Sequence, residues 1–83
     1  MFQRDLNKNF SLSMEFNEYV AHDPNILDIL PENAHIVFIP EDKELAGRNR
    51  EMAKEIALKQ HRPVFGALKH GKGWKVEKLQ FSR

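Results

Sequence analysis

The sequence predicts an α/β fold: N-terminal helices followed by a β-α-β-β run whose three strands form a small mixed sheet packed by helices. Three observations carry the prediction. Residues 35–39, His35-Ile36-Val37-Phe38-Ile39, are an uninterrupted, β-branched apolar run closed by Pro40, the pattern of a strand covered on both faces. Residues 44–60 collect Leu45, Ala46, Met52, Ala53, Ile56 and Ala57 on one side of a helical wheel. Two more strand-like segments, 64–69 and 74–81, flank His70-Gly71-Lys72-Gly73, whose glycines can take the positive φ of a hairpin turn. A single helical crossover implies that the first two strands are parallel, and the hairpin returns the third antiparallel, giving strand order 1-2-3. At 83 residues the chain is expected to be one small domain, residues 1–83, with a thin core.

The first helix is expected over residues 5–22. At about 100° per residue, Leu6, Phe10, Met14 and Ala21 share one arc and Leu12, Phe16, Tyr19 and Val20 the next. Lys8, Ser11, Glu15, Glu18 and His22 occupy the remaining third. A surface helix needs an apolar stripe only a little over about 100° wide, so this helix is expected to touch two partners, the sheet and a second subunit. Asp23 reads as an N-cap, with Pro24 opening a short helix over 24–30 that Pro31 stops. Glu32 and Asn33 turn the chain into the first strand, where Ile36 and Phe38 face one way and Val37 and Ile39 the other. Glu41-Asp42-Lys43 then leads into the second helix, whose positive N-terminal end favours acidic residues. Glu44 with Arg48 and Glu55 with Lys59 are i,i+4 pairs on its outer side, and Arg62-Pro63 ends it.

With 41% apolar and 30% charged residues the composition is that of a folded chain, and disorder, collagen-like repeats and coiled-coil bias are excluded. No apolar run reaches the roughly 18 residues of a membrane span, and residues 1–10 lack a secretory apolar segment, so no membrane association and a cytoplasmic location are expected. Without cysteine there is no disulfide, thiolate nucleophile or Cys-based zinc site. Charge is unevenly distributed: residues 1–58 carry six Lys or Arg against eleven Asp or Glu, and residues 59–83 carry seven against Glu77 alone. Such polarity can steer a polyanion or hold two subunits in register, and it also suits the solvated side of a hairpin.

Several stretches resemble a family of short prokaryotic proteins that carries only a domain-of-unknown-function label. They are Asn9-x-x-Leu12-x-x-Glu15-Phe16-x-x-Tyr19, Pro24, Leu30-Pro31-Glu32-Asn33-Ala34 with its strand and Pro40-Glu41-Asp42, Glu44-Leu45-x-x-x-Asn49-x-x-x-Ala53, and Arg62-Pro63-Val64. The resemblance spans residues 9–68, with the Pro-Glu-Asn-Ala strand as its most specific piece. It implies a compact α/β domain and brings no activity, substrate or catalytic residue with it.

Catalytic signatures are missing. The hydroxyls are Ser11, Ser13, Ser82 and Tyr19, with no threonine and no Gly-x-Ser-x-Gly elbow, so no catalytic residue is assigned. His22, His35, His61 and His70 lack metal-ligand spacing, and neither a metal nor a cofactor is expected. Gly71-Lys72-Gly73 precedes a strand and is a turn rather than a phosphate loop. The leading expectation is a non-enzymatic module that acts by binding as a homo-oligomer, most simply a dimer, with Leu12, Phe16, Tyr19, Val37 and Ile39 at its interface. The second is a nucleic-acid-binding regulator, in which Lys69, Lys72, Lys75 and Lys78 of the hairpin neutralise phosphates and Trp74 stacks on a base. Against it, Lys75 and Glu77 share a strand face with Leu79 and Phe81 while Trp74, Val76 and Lys78 share the other, so the lysines do not form one stripe. The third is a small-ligand or enzymatic site at His35, Glu41, Asp42 and Asn49. Asn49 lies amid the apolar side of its helix and must find partners for donor and acceptor, either in a ligand or in the backbone near residues 31–34 or in a neighbouring subunit.

Overall fold

A computed structural model of the chain describes residues 3–81. Helix α1 spans Gln3–His22 and a single 3₁₀ turn covers Pro24–Leu27; β1 (His35–Ile39), α2 (Lys43–Gln60), β2 (Val64–His70) and β3 (Gly73–Lys78) follow. The sheet has the expected order β1-β2-β3. β1 and β2 are parallel, with His35 opposite Val64 and Ile39 opposite Leu68, and β2 and β3 are antiparallel, with Phe65 opposite Lys78 and His70 opposite Gly73.

Strand alternation sends side chains to two separate helical layers. On one face Phe65, Ala67, Trp74 and Val76 are buried with Leu12 and Phe16 of α1 and Leu45 of α2, and Ile36 and Phe38 pack against them. Phe16, Phe38 and Trp74 form a mutual edge-to-face triad with ring centroids 5.2–6.0 Å apart, the arrangement favoured by aromatic quadrupoles. On the other face Val37, Ile39 and Val64 are buried with Ala53 of α2, joined by Ala46, Met52, Ile56, Leu68, Leu79 and Phe81. Gly66 sits at the middle of β2 on this side. A Cβ there would come within 3.1–3.3 Å of Leu79, Leu68 and Ile39, so the missing side chain is what lets these three close over the sheet.

Boundaries follow from local chemistry. Asp42 caps α2, its Oδ1 accepting from the amides of Glu44 (3.0 Å) and Leu45 (3.3 Å). Gly71 takes φ +57 while Lys72 stays at negative φ, the pattern of a type II′ hairpin turn. His61 ends α2 in the left-handed region at φ 52, a conformation that histidine tolerates better than most residues. Three expectations are corrected. Asp23 makes no side-chain cap, and the helix expected over 24–30 is one 3₁₀ turn followed by tight turns, Asp28 N donating to Asn25 O and Leu30 N to Leu27 O. Pro31 disfavours the helical conformation at Leu30, so the segment never completes an α-helical turn. The third strand ends at Lys78 rather than residue 81, because its partner β2 begins at Val64; the amide of Leu79 makes the last bond, to Val64 O at 2.9 Å.

Candidate interaction surface

Helix α1 lies against the sheet through the arc that holds Leu12, Phe16, Tyr19 and Val20. The neighbouring arc turns away from it. Leu6, Phe10 and Met14, spaced i, i+4 and i+8, are 50%, 66% and 59% exposed, a row of large apolar side chains that no other element among the described residues covers. Sites of this kind mark contact surfaces when they are contiguous. The residues expected at a subunit interface are placed differently. Leu12 and Phe16 are buried against the chain's own sheet, Tyr19 is half-buried in the same core, and Val37 and Ile39 lie beneath α2. The reason is the aromatic triad: Phe16 is needed to complete it, so its arc serves the core and the Leu6 arc is left outside.

The N-terminal half of α1 runs on to meet α2 through polar groups. Asp5, which is buried, receives a bidentate pair from Arg48, Nε to Oδ2 at 2.7 Å and the second nitrogen to Oδ1 at 2.9 Å. The Arg48 hydrogen bond holds the Asp5 carboxyl below its ordinary value, against the opposing effect of burial. Lys8 Nζ contacts Asp42 Oδ2 at 2.8 Å, and this bond, followed by that from the Leu45 amide, lowers the Asp42 pKa as well. Asn49, only 2% exposed, donates through Nδ2 to Phe38 O (2.8 Å) and to Asn9 Oδ1 (2.9 Å), and Asn9 Nδ2 returns a bond of 3.4 Å. His35 N donates to Pro63 O toward β2, and alternate residues of a parallel strand point their polar groups oppositely, so Phe38 O faces the open edge of β1. Asn49 therefore closes that edge. Its donor is spent on structure, though on partners other than residues 31–34.

The remaining members of the expected ligand site do not converge on Asn49. His35 stands at the start of β1 and Glu41 and Asp42 beyond its end, separated by about 16 Å of strand at about 3.3 Å per residue. Asp42 is committed to the α2 amides and Lys8, and Glu41 is exposed. A groove of about 380 Å³ does lie nearby, lined by Asn7, Lys8, Ser11, Leu12, Pro40, Asp42 and Leu45. Among the described residues no group of three His, Cys, Asp or Glu side chains could hold a metal ion.

The hairpin lysines are also distributed over different surroundings. Lys69 pairs with Glu15 at 2.7 Å across a groove of about 430 Å³ between α1 and the hairpin, and Lys75 lies 3.7 Å from Glu77. Lys72 occupies the turn and Lys78 is exposed at the end of β3. Trp74 is 8% exposed within the aromatic triad. The indole that the nucleic-acid reading would place against a base is packed edge-to-face with Phe16 and Phe38. What sequence reading missed is Asp5 and Asn9, which fall on the same arc of α1 as Leu12 and Phe16. A carboxylate and an amide in a buried arc are the signal that partners wait on another element.

No helix among the described residues is long and apolar enough to cross a membrane. No curated protein and no solved structure matches the chain. A family model matches residues 6–79, from the first exposed leucine of α1 through the whole basic hairpin, a longer stretch than the motifs alone cover. The chain therefore belongs to a family of unknown function, DUF5647.

Proposed function

We propose that this chain is a non-enzymatic binding module that works as a homodimer, with the outward face of α1 as its contact surface. The observation that supports the reading is the row Leu6, Phe10 and Met14, exposed on a well-formed helix whose other apolar arc already satisfies the sheet. Covering it in a dimer removes six half-exposed apolar side chains from water, each worth about 1 kcal/mol or more on the area left to bury. That is of the same order as the roughly 4–15 kcal/mol lost in association, so the neutral polar residues beside the row decide the affinity. A catalytic role finds no support in the arrangement of groups: the buried polar side chains Asp5 and Asn49 are both engaged in holding α1, α2 and β1 together.

Light scattering coupled to size-exclusion chromatography tests the reading. The expected mass is twice the 9.7 kDa of the chain, and Phe10→Glu, which places a charge in the centre of the row without disturbing the core, is expected to return a folded monomer. A wild-type mass of 9.7 kDa at protein concentrations up to about 100 μM, where even a weak dimer forms, overturns it.

A further inference from the structure

The outward face of α1 has an internal symmetry. Leu6 and Met14 each stand four residues from Phe10, and Gln3 and Asn17 each stand seven from it, so the face reads polar, apolar, aromatic, apolar, polar in both directions. Among the described residues of α1, none on this face is charged. Asp5 and Lys8 are turned into the α2 contact and Glu15 toward the hairpin, where each is ion-paired. Arg4, Glu18 and His22 line one flank, with Arg4 near one end and Glu18 near the other, while the opposite flank carries Asn9, Ser13 and Val20.

Resting on the homodimer reading above, we propose that the occupant of this face is the α1 helix of a second copy, docked antiparallel about a two-fold axis through Phe10. A two-fold interface must be self-complementary, each residue meeting the image of its counterpart. Antiparallel docking about Phe10 brings Leu6 level with Met14 of the other copy and Gln3 level with its Asn17, so apolar groups meet apolar groups and amides meet amides. The same operation brings matching flanks together with their ends reversed. Arg4 of one copy is then carried toward Glu18 of the other, twice over, and the positive N-terminal end of each helix lies near the negative C-terminal end of its mate. Parallel docking does the opposite. It aligns the two dipoles, sets the Arg4 ends side by side and faces the charged flank with the uncharged one.

The chain contains no cysteine, so introduced thiols report position without background. Gln3→Cys and Asn17→Cys lie at the two ends of the face, are solvent-exposed and leave Leu6, Phe10 and Met14 intact. The two variants are treated separately and as a mixture with a bismaleimide spanning about 8–10 Å, the usual distance between packed helices, and their masses are measured by light scattering before treatment. Antiparallel docking predicts that the mixture yields covalent dimers joining one variant to the other, whereas each variant alone yields few, because its two thiols are about 20 Å apart along the helices. Cross-linking of each variant with itself overturns the proposal in favour of parallel helices. A dimeric mass with no cross-link in any tube also overturns it while leaving the homodimer standing on another surface, and a monomeric mass overturns both.

Discussion

Asn49 is the residue at which sequence and structure are most informative about each other. Its burial was legible, because an amide stands where the wheel of α2 is otherwise lined by Leu45, Met52, Ala53 and Ile56. Its partners were not, since Asn9 is 40 residues away and the edge-facing carbonyl of Phe38 belongs to a strand register that no single residue reveals. With both Nδ2 bonds accounted for, the consequence of substitution can be stated. Asn49→Asp removes the donor, puts a carboxylate against the Phe38 carbonyl and is expected to destabilise the fold at pH 7 by more than the about 1–3 kcal/mol typical of an unsatisfied buried group. Asn49→Leu is expected to cost less, because Asn9 is only half-buried and its amide can turn to water. Urea denaturation of the two variants measures the order, and equal stability of Asn49→Asp and wild type would contradict it. Gly47 makes the reverse case. It lies exposed in α2, and a Cβ there would meet nothing within 4 Å. Gly47→Ala is therefore expected to raise stability by about 0.5–1 kcal/mol through helix propensity alone, seen as a higher melting temperature.

Among the elements, those with a strong period were read from sequence nearly to the residue. The β-branched run of β1 and the apolar side of α2 left little choice, and the two glycines fixed the hairpin. The segment after Asp23 departs from the expected helix: a proline, a possible cap and a few apolar residues resemble a helix start, whereas seven residues before Pro31 give too little room for i→i+4 bonding to outweigh the cost of nucleation. The packing of α1 on the sheet depends on the triad of Phe16, Phe38 and Trp74, to which α1, β1 and β3 contribute one ring each. Phe16→Ala is expected to cost about 3–5 kcal/mol, a large part of the whole for a chain of this size. Trp74, the only tryptophan, reports it directly: its fluorescence should shift toward that of a solvated indole at lower urea concentration than in wild type. On the other face Gly66→Val is expected to cost about 1–3 kcal/mol by forcing Ile39, Leu68 and Leu79 apart, without moving the triad.

For the whole molecule, the sheet and its two helical layers were legible and so was the excess of apolar surface on α1, but not which arc would be left outside. That depended on where aromatic rings from three elements meet. Nor could the sequence disclose that α1 and α2 are joined by Asp5 with Arg48 and by Lys8 with Asp42, pairs separated by 43 and 34 positions in the chain. These two ties make the assembly of the layers sensitive to acid. Asp5 and Asp42 both have folded-state pKa values below the ordinary 3.8, Asp5 chiefly through the Arg48 hydrogen bond and Asp42 chiefly through that of Lys8. A carboxyl whose pKa is depressed by folding contributes stability above its unfolded-state value and loses that contribution as pH falls through its folded-state value. Stability is accordingly expected to be insensitive to Asp5 titration from pH 7 down to about 5 and to decline below about 4. Asp5→Asn isolates the effect, because its amide keeps the shape of the carboxyl but cannot carry the charge that Arg48 holds. At pH 7 the variant should be less stable than wild type, and the gap should narrow as pH is lowered from 4 toward 2. Added salt should narrow it too, since the Arg48 side chain is 46% exposed and the pair is open to screening. Urea midpoints of the two proteins across this range provide the measurement. A gap of the same size at pH 2 and pH 7 would mean that Asp5 supports the fold by shape alone and that its charge contributes nothing.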